Sequence, residues 1–189
     1  MVGRLDPGVE TAPGPRPPVG GDAELLELLL VDDRPENLSA LEAVVAPLGF
    51  PVQTAGSGDE ALRMLLERDF AVILLDVRMP GLDGLETARL IKARERTRDI
   101  PIIFLTAAEH DVAAVIRGYE VGAVDYILKP FDANLLRSKV AIFVELQRSR
   151  RALERSEGLL RASFDYAPVG KTVLDSSLRI VRSNPSFAR

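Results

Sequence analysis

Polar residues with the means to do chemistry follow directly on short apolar runs in this chain. Leu28-Leu29-Leu30-Val31 is followed by Asp32 and Asp33, and Ala71 to Leu75 by Asp76. Ile102 to Leu105 is followed by Thr106, and Asp125-Tyr126-Ile127-Leu128 by Lys129 and Pro130. If the run ends meet, three carboxylates, a hydroxyl and an ammonium share one cleft. Carboxylates held together repel unless a cation neutralises them. Oxygen-only donors select a hard ion, and Mg²⁺ favours one or two carboxylates together with waters and phosphate oxygens. A carboxylate beside such an ion can attack a phosphoryl group and form an acyl phosphate. The charge on the phosphoryl oxygens can then be offset by Mg²⁺, by Lys129 and by the Thr106 hydroxyl.

Those run ends need a scaffold that brings them to one edge. Runs that are apolar on both faces belong to parallel strands covered by helices on each side. A weaker strand fits Pro51 to Thr54. Helical patterns fill the gaps. Pro35 opens a helix carrying Leu38, Leu41, Val44, Val45 and Leu48, which Gly49 stops. Ser57 with Glu60, and Asp83 with Glu86, read as capping boxes. A helix is expected over Asp111 to Val121, and Asp132 caps the last one. Five strands alternating with five helices predict a doubly wound α/β fold with helices on both faces of a parallel sheet. In such sheets the site lies beyond the carboxyl ends of the strands, where the strand order reverses.

Composition sets outer limits. The chain has 189 residues and 47% apolar content, enough for one domain with extensions. Its net charge of −4 argues against a surface built for nucleic acid. With no cysteine and the single histidine His110, thiolate and multi-histidine metal sites are excluded. No apolar run is long enough to span a bilayer, so no membrane association and a cytoplasmic location are expected. His110 is expected to be solvent-exposed. Residues 1–23 are rich in Gly and Pro and are expected to be disordered.

Together the segments LLLVDD (28–33), LLDVRMPGLDG (74–84), PIIFLTA (101–107) and GAVDYILKPF (122–131) resemble the receiver domains of bacterial two-component response regulators. The resemblance covers residues 24–146. It implies a flavodoxin-like sheet in strand order 2-1-3-4-5 and a phosphoacceptor role for Asp76. It further implies that Asp33, Asp76 and the backbone carbonyl of Arg78 ligate Mg²⁺, while Asp32 holds metal-bound water. Lys129 would contact the acyl phosphate, and Thr106 and Tyr126 would form a switch pair, the Tyr126 ring turning inward as Thr106 moves to the phosphoryl group. Arg78 and Ala108 occupy positions that tune dephosphorylation in this family. The implied partners are a histidine kinase or a phosphotransfer protein. A homodimer is expected through the face of the fourth helix, fifth strand and fifth helix, or through the C-terminal helix.

The remaining residues read differently. The fifth receiver helix is expected to continue as one extended C-terminal helix to about Ala162, its part over 147–162 serving as a linker. Leu146, Leu153 and Leu160 recur every seven residues, Phe143 and Phe164 extend the stripe, and Arg150 and Glu157 interrupt it, which predicts a weak coiled coil. Residues 163–189 resemble the opening of a PAS sensor domain, with Ala167-Pro168-Val169-Gly170, strands near Lys171–Leu174 and Arg179–Arg182, and Asn184-Pro185. About 30 residues cannot form an independent core. A fragment of a hybrid sensor kinase or another PAS-containing output protein is therefore an alternative reading. An aspartyl-phosphate hydrolase is a further one, but it needs an acid two residues after the nucleophile, where this chain has Arg78. The main expectation is a signalling domain rather than an enzyme.

Overall fold

The computed structural model describes residues 26–107 and 125–188. In chain order they form β1 (Glu27–Val31), α1 (Pro35–Val45), a 3-10 turn (Ala46–Leu48), β2 (Val52–Ala55), α2 (Gly58–Glu67), β3 (Phe70–Asp76) and α3 (Gly84–Lys92). Then come β4 (Ile102–Ala107), β5 (Asp125–Lys129), α4 (Ala133–Asp165), β6 (Thr172–Leu174) and β7 (Ile180–Ser183). The helix expected at 111–121, His110, Ala108 and the N-terminal segment 1–23 lie outside the described residues, so the expected fifth helix is numbered α4.

Strands β1 to β5 form one parallel sheet in the order β2-β1-β3-β4-β5. The period of two along each strand sorts its apolar side chains onto two faces. Leu29, Val31, Ile73, Leu75, Ile102 and Phe104 pack against α2 and α3, while Leu28, Leu30, Val72, Leu74, Ile103 and Leu105 pack against α1 and α4. Central strand β3 is buried along its whole length, as expected for a strand roofed on both sides.

The local signals act as read. Pro35 stands in the first turn of α1. Gly49 closes the following 3-10 turn in the left-handed region at φ 73°, which suits a residue without Cβ. Ser57 accepts from the Glu60 amide, Asp83 from the Glu86 amide, and Asp132 from the amides of Asn134 and Leu135.

Helix α4 runs unbroken for 33 residues, as expected of an extended C-terminal helix that continues out of the receiver, and it ends three residues beyond the expected limit near Ala162. Leu136, Val140 and Val144 are buried against the sheet. Phe143 packs on that same cluster, so it belongs to the inner face and not to the outer leucine stripe. Further along, the helix is strapped to the amino-terminal edge of the sheet. Gln147 donates to the Asp99 carbonyl, Arg150 bonds the Asp99 carboxylate at 2.8 Å, and Arg151 reaches the Phe70 carbonyl.

The Arg150 guanidinium holds the Asp99 carboxyl below its usual range. A carboxyl with a depressed folded-state pKa adds stability above its unfolded value and loses it as pH falls through the folded one. We predict that the NMR titration midpoint of Asp99 lies below that of an ordinary aspartate and rises in Arg150→Ala. An unchanged midpoint would remove Arg150 as the cause.

After α4, β6 and β7 pair as an antiparallel hairpin. Asn184 is buried and ties it to the helix end: its amide donates to the carbonyls of Phe164 and Val169, and its side-chain oxygen accepts from the Lys171 amide.

Candidate functional site

Strand order decides which run ends meet. β1 feeds β2 on one side of the sheet and β3 lies on its other side, so order reverses between β1 and β3. Val31 pairs with Leu75, which brings Asp32 beside Asp76 at the carboxyl edge. Thr106 stands opposite Leu128, and Ala107 opposite Lys129, in the β4–β5 ladder. Asp33, Arg34, Asn37, Asp76, Arg78, Thr106 and Lys129 line one cleft of about 340 Å³.

The Lys129 ammonium sits between two carboxylates, 2.8 Å from Asp32 Oδ2 and 2.5 Å from Asp76 Oδ1. The Asp32 side chain is fully buried. Its Oδ1 also accepts from the Arg34 amide, and both of its oxygens accept from the Asn37 side-chain amide. Asp76 Oδ2 accepts from the Arg78 amide at 2.8 Å.

Burial pushes the Asp76 carboxyl above the usual carboxylate range, against the downward pull of Lys129. Burial also opposes the Lys129 charge, but hydrogen bonds to Asp32 and Asp76 outweigh it and raise the amine above its ordinary value. One ammonium is thus shared by two carboxylates, with Asp33 a third acid in the same cleft.

Among the described residues no group of three His, Cys, Asp or Glu side chains is placed to hold a metal. Asp32 is held by Lys129, Asn37 and the Arg34 amide. Asn37 escaped the sequence reading. The signal was its place in the first turn after Pro35, which folds back over the end of β1.

The donor set still suits a hard cation. Asp33 and Asp76 are oxygen donors facing one cleft. Thr106 adds an independent sign of a missing acceptor. It is 2% exposed, and its hydroxyl has no hydrogen-bond partner among the described residues. A buried polar atom without a partner costs stability and calls for a functional explanation. Tyr126 pairs with Phe104, two ladder positions before Thr106, and is 36% exposed on edge strand β5.

Gly84 lets α3 close against the end of β3. A Cβ there would lie 2.0 Å from the Asp76 carbonyl oxygen. Gly84→Ala is therefore expected to displace either α3 or the end of β3 and to cost about 1–3 kcal/mol of stability. Urea unfolding would measure this; an unchanged midpoint would show that the close approach is not maintained.

A family model, the response regulator receiver domain, matches residues 28–141. The chain belongs to this family. Among its curated relatives, the transcriptional regulatory protein AfsQ1 of Streptomyces coelicolor is 38% identical over 157 residues, covering 83% of this chain and 63% of AfsQ1. The response regulator PleD of Caulobacter vibrioides is 35% identical over 139 residues, covering 70% of this chain and 30% of PleD. The receiver chain thus spans less than two thirds of either relative. Among solved structures, the receiver domain of the sensor histidine kinase PA1611 from Pseudomonas aeruginosa has a magnesium ion coordinated in its active site cleft. It is 34% identical, with a TM-score of 0.58, and the match covers 64% of this chain and 98% of that one. The sheet order and layering of this receiver are those the family resemblance implies. No described helix is long and apolar enough to cross a membrane.

Proposed function

We propose that this receiver accepts a phosphoryl group on Asp76 from a phosphohistidine of a partner histidine kinase or phosphotransfer protein. The observation that carries the reading is the Lys129 ammonium bridging Asp32 and Asp76, with the orphaned Thr106 hydroxyl lining the same cleft. In the transfer an Asp76 oxygen forms the new bond to phosphorus, the histidine N–P bond breaks, and the departing imidazole nitrogen takes a proton. Lys129 is placed to follow the charge onto a phosphoryl oxygen, and the Thr106 hydroxyl donates to another. Asp33, Asp76 and the Arg78 carbonyl are the groups that would hold Mg²⁺, with Asp32 reaching it through water. The ion, when bound, offsets negative charge on the phosphoryl oxygens. Removing Thr106 from its buried position vacates space beside β5, into which the exposed Tyr126 ring turns. That change reshapes the surface formed by β5 and α4.

The acid that an aspartyl-phosphate hydrolase needs two residues after Asp76 is here Arg78, whose amide already holds Asp76. We therefore read the domain as a cytosolic signalling acceptor and not as an enzyme in its own right. The β6–β7 hairpin pinned by Asn184 supports reading residues 163–189 as the opening of a PAS sensor fold in a longer output protein.

Incubation of the chain with acetyl phosphate and Mg²⁺ is expected to add the mass of one phosphoryl group, seen by intact mass spectrometry and suppressed by EDTA. The absence of any adduct would sink the proposal, and sustained phosphate release from small phosphomonoesters would favour the hydrolase.

A further inference from the structure

We propose that α4 carries a self-complementary seam and that two copies of this chain pair along it as a parallel two-stranded coiled coil. The inference does not depend on phosphoryl chemistry at Asp76. Helix α4 has two apolar faces. One holds Leu136, Val140 and Val144 and is buried against the sheet. The other holds Leu135, Ile142, Leu146, Leu153 and Leu160, which are 49–69% exposed. At about 100° per residue the two faces lie roughly 145° apart, so the body stands clear of the outer face.

The outer face keeps a seven-residue repeat along the whole helix. Leu135, Lys139, Ile142, Leu146, Ser149, Leu153, Ser156, Leu160 and Ser163 follow one another at alternating steps of four and three. That alternation keeps a seam facing a partner helix when both are slightly supercoiled. Lys139 is the charged residue in the seam, and its ammonium is already paired with Asp125. Residues 152–163 have left the body and are all exposed. A helical extension of that length is marginal in water without packing.

A second copy in parallel orientation fits this face in two independent ways. Leu146, Leu153 and Leu160 each meet their own counterparts, giving three matched apolar layers. The flanking charges also match. Glu145 and Arg150 border the seam on opposite sides, five residues apart, the separation at which one helix meets the other in a parallel pair. Glu145 of each copy therefore meets Arg150 of the other. Arg150 already bonds Asp99 and Glu154, so the second copy's Glu145 would join an existing network. The serine layers make the pair weak.

The chain has no cysteine, so single-cysteine variants of the full chain report the geometry cleanly. Sedimentation should show a reversible monomer–dimer equilibrium. Ser156→Cys, in the seam, should form a disulfide-linked dimer under mild oxidation, whereas Arg148→Cys, on an exposed flank, should not. Leu153→Ser should weaken the dimer at least about tenfold and Ser156→Leu should tighten it by a similar factor, the latter gain being one that misfolding cannot mimic. A chain that stays monomeric at submillimolar concentration would overturn the proposal. So would equal cross-linking at positions 156 and 148, or a dimer in which Ser156→Cys fails to cross-link, the result for an antiparallel pair.

Discussion

Asp76→Asn is expected to leave the chain folded and to abolish phosphoryl uptake completely. The two side chains have nearly the same shape, and an asparagine oxygen can still accept from the Arg78 amide that now bonds Asp76 Oδ2. Burial already works against the charged form of Asp76, so neutralising it removes an unfavourable desolvation together with a favourable contact to Lys129. Lys129 keeps Asp32 at 2.8 Å. The net change in stability should therefore stay within about 1–2 kcal/mol. The chemical effect is far larger, because an amide oxygen offers no anionic nucleophile. Intact mass spectrometry after treatment with acetyl phosphate and Mg²⁺, beside a urea melt, checks both halves. An adduct persisting on a folded Asp76→Asn chain would move the acceptor to another residue.

Lys129→Met is expected to be the most destabilising single change at the cleft. It removes the ammonium from between a fully buried carboxylate, Asp32, and a mostly buried one, Asp76. Breaking a buried ion pair by deleting one partner costs about 3–5 kcal/mol, because the other charge stays behind without compensation. Lys129 keeps a quarter of its side chain exposed, so water softens the loss and the lower end, about 3 kcal/mol, is expected. The Asn37 amide and the Arg34 amide continue to hold Asp32, which limits the damage further. Millimolar Mg²⁺ should restore part of the lost stability, since a cation bound only by the folded state stabilises it by mass action. Thermal melts with Mg²⁺ and with EDTA provide the measurement. A variant as stable as the parent, or one indifferent to Mg²⁺, would mean that the carboxylates are not electrostatically coupled as the geometry indicates.

These two substitutions separate roles that the cleft combines. In the proposed transfer Asp76 supplies the nucleophile, and it can lose its charge cheaply. Lys129 keeps neighbouring acids compatible and cannot be removed cheaply. Gly84 contributes neither charge nor hydrogen bond, yet its missing Cβ lets α3 close against the Asp76 carbonyl.

What the amino-acid sequence determined by itself is the set of local decisions. The β-runs and their polar terminal residues, the caps at Ser57, Asp83 and Asp132, and the stop at Gly49 all depend on groups a few residues apart. Backbone geometry and short-range hydrogen bonds settle them before any distant contact forms. Their alternation fixed the α/β class. Tertiary structure alone decided the rest, because the deciding contacts join residues far apart in the chain. Lys129 meets Asp32 across 97 positions, and only the strand order puts both at one edge. That meeting gives Asp32 an ion-pair partner and draws in Asn37, a role its local sequence does not specify. Burial of Thr106 without a partner is likewise a property of the assembled sheet. The phase of α4 is the clearest case. The spacing showed Phe143 and the leucines as one stripe, but packing on the sheet took Phe143 inward and left Leu146, Leu153 and Leu160 outside, since which side of a helix faces the core is fixed only when the core is there.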